Sequence, residues 1–383
     1  MRRLIWTAYV VMAAEGFLVY AVGFITPFVR DTLHVEPWLA AMPNSLMAVG
    51  LGLGGVAARQ LNTRFGAQRA IRAWLLLMSG AGLLLAMPVS IVVTMVGGLV
   101  FGVALGGWLV HVNSALGQGP RGGLLLTRAN LSSVVGGLAG PLVLSAAAAT
   151  IGWWYGTLAP LPVLVVLAFV IPGSPARDAP VAEGAPEPPL SREFWLSWVF
   201  LTLCIGAEFS YVVWGSQVAA ARTGISTNAA TGLASIYVVG MIGGRLAASF
   251  VHIGPGRSLL VVRAGTVLTA LGAVVLWLAP HPELSALGLL LCGLGMAPIY
   301  PFAASLALAH APAAPVRASA RLTLASSSAI FTAPLLLGVV VSVTGIVGAW
   351  AIVLALLVVA FAVVLRVSAP AVAIEQPAGV LPA

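Results

Sequence analysis

Residues 5–29 read IWTAYVVMAAEGFLVYAVGFITPFV, and residues 194–218 read FWLSWVFLTLCIGAEFSYVVWGSQV. Each run is long enough to cross a bilayer, and each carries one acid, Glu15 or Glu208. The two acids stand 193 positions apart, about half of the 383-residue chain. The same offset relates Arg128 to Arg321, Pro141 to Pro334 and Gly152 to Gly345. Four matches at one offset, two of them charged residues inside apolar runs, predict two copies of one membrane unit.

Composition agrees. The chain is 60% hydrophobic and 7% charged, with a mean hydropathy of +1.07. A soluble domain carries about 25% charged residues. The class expected is an all-α polytopic membrane protein, with the lipid bilayer as its solvent. The net charge of +8 is not read as nucleic-acid affinity: there is no lysine, and what matters is where the 18 arginines fall. Cys204 and Cys292 lie in apolar runs without metal-ligand spacing. Arg2-Arg3 before a long apolar run could mimic a signal peptide, but the repeat mate around Glu208 argues for a retained span.

The hydropathy pattern predicts twelve spans, near 5–29, 37–58, 70–92, 94–117, 123–148, 151–171, 194–218, 230–251, 258–279, 284–309, 317–342 and 346–366. Residues 172–193, PGSPARDAPVAEGAPEPPLSRE, have no apolar face and read as a linker. The expected organisation is a six-helix bundle over 1–171, that linker over 172–193, a second bundle over 194–366 and a tail over 367–383. With twelve spans and an inside start, 13 arginines fall on the cytoplasmic side. Two, Arg30 and Arg222, fall in outer loops, and Arg128, Arg245 and Arg321 lie within spans. That bias predicts cytoplasmic termini in a bacterial inner membrane. Tryptophans near span ends, including Trp6, Trp153, Trp154 and Trp195, read as interfacial anchors.

Local motifs sharpen this. The loop after span 2 reads GGVAARQLNTRFGAQRAIR (residues 54–72). Span 5 contains GGLAGP (136–141) and span 10 contains GLGMAPIYP (293–301). Together with two six-span halves they resemble the major facilitator superfamily. Arg64, Gly66 and Arg69 fit that family's loop motif, with Thr63 in place of its acid, and Gly140-Pro141 fit its helix-5 motif. Drug:proton antiporters of the family usually carry an arginine in helix 4; Leu99 stands there.

The resemblance implies that spans 1, 4, 7 and 10 line a central cavity, with spans 2, 5, 8 and 11 flanking it. Glu15 lies about 16 Å along span 1, near mid-bilayer. A carboxylate there stays ionised only beside a partner charge and otherwise carries a proton. Glu15, Glu208 and His111 are therefore the candidate proton-coupling groups. The competing reading pairs Glu15 with Arg128 and Glu208 with Arg321. Two others have these arginines snorkelling toward the cytoplasm or forming a gate. Arg245 has no basic counterpart in span 2, where Val56 takes the cognate place. Its side chain leans toward mid-membrane, which suits an anionic substrate group. The alternative is an arginine packed on loop carbonyls. Asn113, Asn130, Tyr300 and Tyr211 could add polar contacts. Ser197, Cys204 and Tyr211 share the Glu208 face as a partly polar stripe.

There is no P-loop, no HExxH and no serine–histidine–acid set, so neither enzyme chemistry nor a cofactor or metal is expected. The reading is a secondary transporter, a monomer, moving a small organic solute by alternating access with protons as partners. Anionic cargo is favoured by the arginines. The rivals are a proton-antiport exporter of lipophilic or cationic compounds and a non-transporting membrane sensor or scaffold.

Overall fold

A computed structural model describes residues 2–116, 122–171, 189–250 and 255–369. Most of the expected linker and tail therefore lies outside the described residues. Sixteen helices follow one another among those described: α1 Arg2–Phe24, α2 Thr26–Leu33, α3 Pro37–Phe65, α4 Ala67–Leu85, α5 Ile91–Leu116, α6 Gly122–Thr150, α7 Trp153–Thr157 and α8 Leu161–Val170 in the first half. The second half holds α9 Arg192–Thr223, α10 Thr227–Leu233, α11 Ser235–Phe250, α12 Pro255–Leu278, α13 Pro282–Met296, α14 Ile299–Ala309, α15 Pro315–Ala349 and α16 Ala351–Val364.

Ten helical stretches among them are long and apolar enough to cross a membrane. The other two expected spans, the third and the twelfth, correspond to α4 and α16. The arginines Arg69 and Arg72 lower the hydropathy of α4, and α16 is 14 residues long. Several spans are broken rather than straight. Pro27 opens α2, the turn 158–160 separates α7 from α8, and Pro298 opens α14. Backbone groups freed at such breaks must find partners inside the protein.

The internal repeat is visible in the backbone. Pro141 sits inside α6 and Pro334 inside α15. Gly152 has φ +111° and Gly345 has φ +73°, and each turns the chain from the fifth span of its half into the sixth. A side chain would be strained at either place. Close helix contacts repeat too. Gly54 of α3 faces the Val103 carbonyl of α5, and Gly244 of α11 faces the Leu294 carbonyl of α13. In lipid, such small-residue contacts let backbones approach and drive association by packing. They also correct a register. The structural offset in this helix pair is 190, so Gly55, not Val56, is the counterpart of Arg245.

The halves meet where α3 packs on α15, α6 on α10 and α11, and α1 on α9. Three hydrogen bonds between described residues cross this seam toward the face opposite the termini, called the far face below. Arg30 Nη1 donates to Gln217 Oε1 at 2.8 Å, Ser145 Oγ to the Asn228 carbonyl at 2.7 Å, and Ser45 Oγ to the Phe331 carbonyl at 2.9 Å.

Candidate functional site

α1 brings Glu15 to the centre because glycines let α6 lie directly against it. A Cβ on Gly136 would overlap the Ala13 carbonyl, one on Gly16 the Ser133 carbonyl, and one on Gly137 the Tyr20 ring. The GGLAGP motif is therefore a packing device, and it seats Glu15 at 3% exposure beside the Ser133 hydroxyl. Tyr20, more than one turn further along α1, is buried and within electrostatic reach of Glu15, Glu208 and Arg245. It thus lies near charged groups of both halves. Glu208 on α9 is half-buried and acts electrostatically on Tyr237 of α11 and with Arg245.

Arg245 is half-buried and forms no ion pair; among the described residues the one ion pair is Arg30–Asp31, at 3.0 Å. Two acids, one arginine and two tyrosines thus converge where the halves face each other. An arginine and an acid that feel each other without closing a contact leave donors and acceptors for a third party. Sequence reasoning missed Tyr20 and Tyr237. Neither breaks the apolar pattern, and only the tertiary fold brings them within electrostatic reach of each other and of Glu208.

The competing pairing of Glu15 with Arg128 and Glu208 with Arg321 is not formed among the described residues. Both arginines are exposed, about six residues into helices that start at the terminus-bearing face. Their side chains lean back toward that face, away from the acids. Asn113 and Asn130 are exposed, and Tyr300 is 44% exposed. None of the three shares a hydrogen bond with Glu15, Glu208 or Arg245 among the described residues. Hydrocarbon is a poor neighbour for asparagine and arginine, and their places near the terminus-side ends of α5, α6 and α15 suit that.

Tyr211, by contrast, is enclosed. Its ring is buried between Tyr237, stacked at 5.5 Å, and Trp350, edge-on at 5.2 Å. Ser197 and Cys204 are buried in the same way, so the heptad stripe of α9 is a packing seam rather than a water path. The reason is that α12, α13, α15 and α16 all pack against α9 and enclose it. His111 is also buried, with Nδ1 2.8 Å from the Gly107 carbonyl and Nε2 2.6 Å from Asn62 Oδ1. It ties α5 to the end of α3, one turn before the loop motif. There Gly66, at φ +79°, ends α3, its N–H returning to the Asn62 carbonyl at 2.9 Å, and leaves Arg64 exposed.

The tryptophans divide. Trp6 and Trp195 are exposed near span ends, but Trp153 is buried, stacked on Phe28 at 6.2 Å, with its N–H on Thr32 Oγ1 at 3.1 Å. Trp108, Trp214 and Trp350 are fully buried. Anchoring therefore accounts for only some of them.

Solved structures share this fold at low sequence identity. A bacterial homologue of the human lysosomal transporter Spinster, inward-facing and occupied, aligns with a TM-score of 0.74 at 12% identity, over 95% of this chain and 96% of that one. A mutant of the nucleoside transporter NupG aligns with a TM-score of 0.75 at 12% identity, over 95% and 99%. The human organic anion transporter MFSD10 (TETRAN) aligns with a TM-score of 0.67 at 13% identity, over 95% and 99%. No curated protein matches the sequence. The family profile described as Major Facilitator Superfamily matches residues 5–317. With that match over most of its length, and with two pseudo-symmetric helical halves around a charged centre, the chain belongs to the major facilitator superfamily of membrane transporters.

Proposed function

We propose that this transporter is proton-coupled and carries a small organic anion. The observation that supports this best is Arg245, half-buried, within electrostatic reach of Glu208 and in no ion pair among the described residues. In this reading Arg245 receives a carboxylate or phosphate of the cargo in a forked contact. Glu208 and Glu15 exchange the coupling proton, since each interconverts between neutral and charged forms as water and cargo enter or leave. The halves, taken as 1–171 and 194–366, rock about this centre. The arginine bias supports cytoplasmic termini, and a closed far-face seam then fits an inward-open state. A monomer suffices, because both halves are in one chain.

A second reading rests on the excess of acid. Glu15 and Glu208 outnumber Arg245, so a centre with both acids ionised attracts a cation, as an exporter of lipophilic cations would need. The structural relatives are described as carrying organic anions, nucleosides and peptides, which shows how little the fold restricts cargo.

The test is the melting temperature of the purified protein against anionic, neutral and cationic solutes at two pH values. A ligand of the native state raises it by mass action. Stabilisation by carboxylates or phosphates that disappears in Arg245→Ala supports the anion reading. Stabilisation by lipophilic cations that disappears in Glu208→Gln overturns it in favour of the exporter.

A further inference from the structure

At the far face, away from the charged centre, a cavity of about 270 Å³ lies between the two halves. Pro27 and Arg30 of α2 form one wall; Ser216, Gln217 and Ala220 of α9, with Thr227 of α10, form the other. Its volume is just below the ~300–1,000 Å³ of sites for drug-sized ligands, which suits an occupant of a few heavy atoms.

One side chain in it is anomalous. On α9 the hydroxyls of Ser197, Thr202, Ser210 and Thr223 each donate to the carbonyl four residues back, at 2.7–2.9 Å. Ser216 lies on the same helix, is 1% exposed, lines the cavity and has no hydrogen-bond partner. A buried hydroxyl that forgoes the local bond is costly unless something else satisfies it. Opposite stands Arg30, held at the seam by Gln217 at 2.8 Å and by Asp31, whose Oδ1 takes Nε at 3.1 Å and Nη2 at 3.0 Å. A guanidinium has five N–H donors, so two remain. Asp31 is 51% exposed and is not part of the cavity wall.

We propose that this cavity is a second binding site, for a short-chain monocarboxylate, and that its occupant holds the far face shut. The carboxylate accepts from the remaining Arg30 donors and from Ser216, with Thr227 at the edge. The alkyl chain lies against Pro27, Ala220 and Ile346. Because the walls belong to different halves, the site exists only while the far face is closed. A ligand with that preference shifts the population toward the terminus-open state.

The test uses the full-length protein with butyrate, and with butyramide as an uncharged isostere, in thermal-shift titrations. The expected result is a rise with butyrate and none with butyramide. Apparent affinity should fall about tenfold or more in Ser216→Ala, as for loss of one hydrogen bond to a charged group, and further in Arg30→Gln. Arg245→Ala should leave it unchanged. A butyrate response lost in Arg245→Ala but kept in Ser216→Ala and Arg30→Gln assigns the carboxylate to the central site and overturns the proposal. So does an equal response to butyramide, or no response at all. Spin labels placed on either side of the far-face seam give a second readout. Butyrate should narrow their distance distribution toward the closed value in the wild type but not in Ser216→Ala, and unchanged distances in both count against the latch.

Discussion

Glu15 and Glu208 occupy the same place in the two halves but not the same surroundings. Glu15 is buried against the α1–α6 contact beside Ser133, enclosed by its own half. Glu208 is half-buried, turned toward the other half, with Arg245 within reach. The packing around them differs in kind. In the first half glycines bring backbone onto backbone. In the second half Ala329 stands where Gly136 stands in the first, and Gly206 meets the Ala333 methyl group. The repeat supplies a scaffold in duplicate; the departures from it distinguish a tightly enclosed acid from one open to a ligand.

The largest effect expected comes from breaking that difference in packing. Gly136→Ala places a methyl group on the Ala13 carbonyl and should cost ~3 kcal/mol or more, whereas Gly206→Ala should cost nearer ~1 kcal/mol. Thermal unfolding of the two variants in the same detergent checks the ratio; equal losses would mean that the halves pack alike. Next is the arginine that has no repeat mate. Arg245→Ala should weaken binding of a stabilising anion about 10- to 100-fold, the range of one hydrogen bond to a charged group. Arginine at Gly55 in that variant should not restore it, because the first half lacks the Glu208 geometry. Titrations of the single and double variants read both.

The acids themselves should separate more weakly. Glu208→Gln removes the charge facing Arg245 and should lower stability by up to ~1 kcal/mol at neutral pH. Glu15→Gln keeps an acceptor beside Ser133 and should change it less. Both should flatten the pH dependence of transport, and an unaltered pH profile in either variant would remove that acid from the proton path. The smallest effect is expected of Arg128→Gln and Arg321→Gln. Both arginines are exposed and neither pairs with an acid, so stability should stay within ~0.5 kcal/mol. A loss of ~3–5 kcal/mol, as when a buried ion pair is broken, would show that they pair with Glu15 and Glu208 after all.

Much of the scaffold was legible because its signals are periodic or steric. The apolar runs, the paired prolines and the Gly152/Gly345 turns are set by a bilayer's thickness and by backbone geometry, which act locally. The site was legible only in part. Glu15, Glu208 and Arg245 stand out as charges in apolar runs, whereas Tyr20 and Tyr237 look like any membrane tyrosines until the fold brings the two halves together. Tyr211 and His111 were placed on the right helices, but neighbours enclose them, which a helical wheel does not record. The arginine–acid pairs failed for a related reason. Sequence gives depth along a helix only coarsely, and a few residues of depth decide whether a side chain meets its partner or leans away.

The most direct test is solute-driven proton movement in liposomes containing only this protein, with a pH-sensitive dye inside. The solute is the carboxylate or phosphate that most raises the melting temperature. The account predicts that its gradient changes the internal pH with the wild-type protein. That response should vanish in Arg245→Ala and in Glu208→Gln and persist in Arg128→Gln. Solute-driven proton movement that survives the loss of both Arg245 and Glu208 would contradict it.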